Sequence, residues 1–178
     1  FFHAIIDKPV QQETYLSLIV MIFLLVSNPL YASSENAIFN ITYGDLHPLQ
    51  KMDFYPGSSK RSIMYLHGKG WVAGDKSDLY QGIKPLINGE FNVFSVNFRV
   101  GHRTAPEAIE DVLCAYQYIE SFSESAGLSP RHISIMGRSA GGHLALTAGL
   151  IISDNKNHIC KSSYPPHSIT VCHTRACQ

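Results

Sequence analysis

A serine among nearly side-chain-free neighbours is the first feature of this chain that could do chemistry: Gly137-Arg138-Ser139-Ala140-Gly141-Gly142. The pattern G-x-S-x-G suits a sharp turn from a strand into a helix, with the hydroxyl pushed out above a sheet. Such a turn is strained and crowded, which favours residues as small as Gly137, Ala140, Gly141 and Gly142 around it. A helix opening just after the serine brings free N–H groups and a partial positive charge to any oxyanion formed there. A nucleophilic hydroxyl with such donors is the equipment of acyl transfer. A second glycine-rich segment, His67-Gly68-Lys69-Gly70-Trp71, follows a short apolar run and could aim further N–H groups at the same oxygen. His67 reads as a brace for that loop rather than as a base. Lys69 reads as a solvated side chain whose N–H is the useful part, and Trp71 as either core or pocket wall. Neither segment is a nucleotide site. GRSAGG is not G-x-G-x-x-G, and Gly68-Lys69 lacks the Ser/Thr and upstream glycine of a phosphate-binding loop.

The elements needed to position these groups are legible between residues 37 and 151. Ala37 to Tyr43 and Gln50 to Tyr55 alternate in polarity around the turn-formers Gly44, Asp45 and Pro48, predicting an antiparallel hairpin or meander. Ser62 to Leu66 and Asn92 to Phe98 predict strands, and Lys76 to Ile87 a helix weakened by Gly82 and Pro85. After Pro106, Ala108, Ile109, Val112, Leu113, Tyr116 and Ile119 recur at helical spacing. Glu107, Glu110 and Asp111 fall in the first turns of that helix, where its dipole favours negative charge. Gly127 is placed to end it. His132 to Met136 predicts the strand before the serine, and Ala140 to Ile151 the helix after it. Strands alternating with helices imply an α/β fold, its sheet mostly parallel and covered by helices on both faces.

Composition agrees with one globular domain. The chain has 178 residues, 45% hydrophobic and 16% charged, with 14 basic residues balancing 14 acidic ones. Zero formal charge gives no electrostatic case for nucleic acid, and the apolar fraction is too high for a disordered protein.

The two ends look different from the middle. Leu16 to Val26 is almost wholly apolar and is followed by Ser27-Asn28-Pro29 and then Ala32-Ser33, the layout of a signal peptide over 1–32. It is too short to span a bilayer as a helix. Asp7, Lys8 and Glu13 ahead of it are unlike a positive leader, and the alternative is a buried N-terminal helix. Export makes the expected location secreted or periplasmic, with no membrane span in the mature chain. Asn40-Ile41-Thr42 is a glycosylation sequon. Cys114 lies in the helical pattern as a small core hydrophobe. Cys160, Cys172 and Cys177 gather near the end with His158, His167 and His173. Their spacing fits no zinc pattern, so no metal is expected; disulfides are open, and sequence does not assign their pairing. Periodicity stops near Ile152, making 153–178 an irregular tail that is either disordered or non-native.

Tyr65-Leu66-His67-Gly68-Lys69-Gly70-Trp71-Val72-Ala73-Gly74-Asp75-Lys76 resembles the oxyanion loop of α/β-hydrolases, in the esterase/lipase group with an HGGGW-type motif. Phe98-Arg99, Ala105-Pro106-Glu107 and Glu110-Asp111-Val112 are similar to the segment before that family's third crossover helix. Gly137 to Leu144 resembles its nucleophile elbow. The resemblance covers roughly 37–151, so 33–152 corresponds to the N-terminal part of such a domain, and it includes acetyl- and feruloyl-xylan-esterase-like and kynurenine-formamidase-like enzymes.

It implies a cofactor-free carboxylic ester hydrolase acting on small ester substrates. Ser139 is the implied nucleophile, with oxyanion donors from Ala140 and from Lys69 and Gly70. His67, Gly68, Trp71, Gly137 and Gly141 support them. Lys69 stands where the family has glycine. The family's acid and histidine follow the serine in that order, but only 39 residues follow Ser139. Asp154, His143, His158, His167 and His173 read as bystanders, so the expectation is an incomplete hydrolase without its acid and base. Two other readings are an arylformamidase using the same machinery and a non-catalytic binding module. The sheet is expected to end at the nucleophile strand as an open edge.

Overall fold

The computed structural model describes residues 36–79, 81–87, 89–154 and 160. The chain divides into two units, Phe1–Tyr31 and Ala32–Gln178; the first, with the expected signal peptide, lies outside the described residues. So do Cys172, Cys177, His158, His167 and His173.

Five strands form one sheet: β1 (Ile38–Thr42), β2 (Lys51–Tyr55), β3 (Ser62–Leu66), β4 (Asn92–Val96) and β5 (Ile133–Gly137), in the spatial order β1-β2-β4-β3-β5. β1 and β2 pair antiparallel, as do β2 and β4, whereas β3 runs parallel to both β4 and β5. The sheet is therefore mixed, and its parallel half carries the glycine-rich segments. β3 and β4 are buried throughout, because both faces of the sheet are covered there. Met64, Leu66, Phe94 and Val96 point into the larger core beneath α2 (Ala105–Ser125) and α3 (Ala140–Asp154). Ile63, Tyr65 and Val93 point the other way, toward Ile83 and Ile87 at the short α1 (Lys84–Ile87).

The helix expected over Lys76 to Ile87 is only that single turn. Asp75 and Asp78 bond to backbone N–H groups of Ser77 and Asp75, which holds the preceding residues in turns. Such bonds compete with a helix, and Gly82 and Pro85 add to the disfavour. α2 runs as expected and ends where Gly127 turns left-handed at φ 70°. The N–H of Leu128 reaches Ser123 O, and that of Gly127 reaches Glu124 O, which satisfies the helix's free carbonyls. Among the described residues β5 is an edge strand of the sheet, and Met136 on it and Leu146 and Leu150 of α3 are exposed.

Cys114 is not a lone core hydrophobe. It is disulfide-bonded to Cys160, 46 residues on, and the N–H of Cys160 also donates to Gln117 Oε1 at 2.7 Å. The chain beyond α3 is thus fastened to α2. By the loop-closure argument this cross-link contributes about 4 kcal/mol. A reductant is therefore expected to lower the melting temperature, and calorimetry with and without it checks this. An unchanged temperature would show the cross-link does not constrain the unfolded chain.

Candidate active site

Ser139 sits exposed at the turn from β5 into α3, with φ at 51°. A left-handed conformation is costly for a residue with a side chain, and close neighbours hold it here. Arg138 N–H donates to Leu66 O, Gly141 N–H to Arg138 O and His143 N–H to Ser139 O. The first turn of α3 thus winds directly off the serine. A Cβ on Gly137 would strike Gly141 O, and one on Gly141 would strike the carbonyl oxygens of Leu66 and His67. These glycines are needed because backbone meets backbone, tying the elbow to the end of β3.

The His67–Trp71 loop leaves β3 beside the elbow. A Cβ on Gly68 would lie 3.0 Å from Arg138 O and 3.5 Å from Ser139 Cβ, so the loop passes against the serine. Lys69, Gly70 and Trp71 are all left-handed, at φ 74°, 65° and 73°. Ala140 is buried at the start of α3, and Lys69 and Gly70 are exposed. Half-buried Trp71 meets His143 edge-on at 5.4 Å, which makes it a wall between the loop and α3.

His67 is 1% exposed, stacks on Phe98 at 4.3 Å and places Nδ1 3.1 Å from Gly68 O. The turn at Gly74 closes directly over its ring. Burial lowers its pKa from 6.5, against a smaller opposing effect of the Gly68 carbonyl, so the folded protein favours the neutral ring. That contribution is complete above the unfolded value and fades as pH falls through 6.5 toward the lowered one. The melting temperature is accordingly expected to be lower at pH 5.5 than at pH 7.5; no change would mean His67 is solvated.

The structure also brings in residues that sequence reasoning missed. Asn97 Nδ2 donates to Asp75 Oδ2, and Asn97 Oδ1 accepts from Lys76 N–H. Burial pushes the Asp75 carboxyl up, but bonds from Asn97 and Ser77 outweigh it and hold the group well below the usual range. Lys76 in turn pairs with buried Asp53 at 3.2 Å. The segment that follows the His67–Trp71 loop is thereby anchored to the sheet. Gly74-Asp75 stood inside the motif, yet nothing in the sequence pointed to Asn97.

Glu110 and Asp111 do not act as dipole partners in the first turn of α2. They lie beyond it and hold Arg99: Asp111 Oδ2 accepts from Arg99 N at 2.7 Å and Nε at 2.9 Å, and Oδ1 from Nη2 at 2.7 Å. Glu110 adds a contact at 3.2 Å. Asp111 and Glu110 raise the Arg99 pKa against its partial burial.

No histidine or carboxylate among the described residues hydrogen-bonds the Ser139 hydroxyl. Exposed His143 packs on Trp71, with Nδ1 3.5 Å from Thr147 Oγ1. Asp154 is exposed at the last position of α3.

The BD-FAE family model matches residues 52–173. The chain is 33% identical over 104 residues to the Bos taurus neutral cholesterol ester hydrolase 1, a match covering 55% of this chain and 26% of that protein. Among solved structures it resembles a bifunctional GH43-CE protein of Bacteroides eggerthii, with TM-score 0.59 and 31% identity over 67% of this chain and 18% of the other. It also resembles a truncated carbohydrate esterase from gut microbiota, with TM-score 0.53 and 24% identity over 70% and 45%. The chain spans about a quarter of the length of the curated relative and less than half of either solved chain.

Proposed function

The chain belongs to the BD-FAE family and has an α/β-hydrolase fold, and from that premise we propose that it is a carboxylic ester hydrolase with Ser139 as nucleophile. The observation that carries the reading is the left-handed serine between β5 and α3, with Gly68 packed against it. The Ser139 oxygen attacks the ester carbonyl, and its proton passes to the departing alcohol. The N–H of Ala140, with that of Lys69 or Gly70, receives the oxyanion. The acyl group remains on the serine until water releases it as the acid. Esters of sugars suit an exported protein, and the resemblance to a carbohydrate esterase supports that class. The Cys114–Cys160 disulfide supports export, since such bonds persist in oxidising compartments.

Labelling by a fluorophosphonate, read by intact mass, tests the proposal. A single adduct on Ser139 is the expected result. A folded sample that takes no label would favour the non-catalytic reading. That reading has its own observation: no base meets Ser139 among the described residues.

A further inference from the structure

Three consecutive left-handed residues, two of them with side chains, do not hold themselves in place. Lys69 and Trp71 occupy a region that L residues avoid, so the loop must be fixed from outside. Trp71 is held by its carbonyl, which accepts Gly101 N–H at 2.7 Å. Lys69 is held through its side chain: Nζ lies 2.9 Å from Asp78 Oδ1 and 2.8 Å from Oδ2.

Asp78 is itself a fixed partner. Its Oδ2 accepts Asp75 N–H at 2.9 Å, and its own N–H donates to Asp75 O at 2.8 Å. Asp75 is bonded to Asn97, directly after β4, by the 2.8 Å contact from Nδ2. An unbroken chain of short contacts therefore runs from the sheet through Asn97, Asp75 and Asp78 to the Lys69 ammonium. The bond from Lys69 also draws the Asp78 carboxyl below its ordinary range.

We propose that Asp78 is a positioning residue for the oxyanion loop, gripping the Lys69 ammonium so that a lysine can occupy a left-handed position beside the nucleophile. The grip compensates for the missing glycine freedom at that position. The inference rests on the ester-hydrolase reading for its effect on rate, but its effect on the loop is independent of it. Both side chains are substantially exposed, 59% for Lys69 and 35% for Asp78. Their attraction is therefore screened by salt, and its contribution is modest.

The test uses the full chain and two readouts. Asp78→Asn keeps an oxygen for Asp75 N–H while removing the charge that holds Lys69. It is expected to speed hydrogen exchange at residues 69–73 and to slow fluorophosphonate labelling of Ser139 about two- to fivefold at low salt. High salt should slow the wild type toward the variant and leave the variant little changed. In a Lys69→Gly background, Asp78→Asn should have no further effect on exchange, because glycine takes the conformation unaided. Unchanged exchange in Asp78→Asn overturns the proposal. So does a full effect in the Lys69→Gly background, because Asp78 would then act through Asp75 instead. A wild type that takes no label while exchange responds as stated refutes the nucleophile reading and leaves the loop grip standing.

Discussion

Replacing Ser139 with alanine is expected to abolish fluorophosphonate labelling and to remove whatever hydrolysis of a short activated ester the wild type shows. The substitution is clean because alanine keeps the Cβ that already sits at φ 51° and deletes only an exposed hydroxyl. Folding should be unaffected, so equal melting temperatures for variant and wild type would assign the loss to chemistry. The size of the wild-type rate carries separate information. Oxyanion donors and binding alone retain ~10³–10⁴ over water, and a complete triad multiplies that by a factor on the order of 10⁶, to about 10⁹–10¹⁰ over water in all. Turnover near the larger figure would place a base among residues outside those described, with His158, His167 and His173 as the first to replace. Turnover near the smaller one would mean Ser139 works with its donors alone. Activity persisting in Ser139→Ala would sink the assignment.

How far the sequence revealed this arrangement depended on which physics was local. β3, β4 and β5 could be read because short runs such as SIMYL and NVFSV suit a sheet covered on both faces, and turn-formers bound them. The elbow could be read because Gly137 and Gly141 answer a steric demand that leaves few other residues possible. What stayed hidden were bonds between segments far apart in the chain. Asp111 looked like an acid at a helix start, and only the fold shows Arg99 and Gln50 converging on it. Cys114 looked solitary because its partner is 46 residues away. The stretch Lys76 to Ile87 reads as a helix weakened only by Gly82 and Pro85, yet the Asp75 and Asp78 carboxylates accept nearby backbone N–H groups and hold its start in turns. Local patterning set the elements, and buried polar pairing decided how the loops at their ends are held.

The buried pairing at Asp111 leads to the largest expected effect on stability. The Asp111 side chain is fully buried, and its two oxygens accept four bonds, three from Arg99 and one from Gln50 Nε2 at 2.7 Å. Gln50 is also fully buried, and the Arg99 side chain is 17% exposed. Asp111→Ala would strand a mostly buried guanidinium, a buried amide and the Arg99 N–H together. Breaking a buried pair from one side costs about 3–5 kcal/mol, against about 5–15 kcal/mol for a whole domain. Urea unfolding should therefore show a midpoint far below that of the wild type. If the alanine variant is insoluble, Asp111→Asn serves instead. It keeps the shape and some acceptors while losing the charge, and should fall between the two. A loss under about 1 kcal/mol in either variant would show that water reaches Arg99 and replaces the carboxylate. The consequence extends to the site, because Arg99 directly follows Phe98, the ring on which His67 stacks. Loosening Arg99 frees Phe98, then His67, and then Gly68 against Ser139. The soluble variant should accordingly label more slowly even where most molecules remain folded.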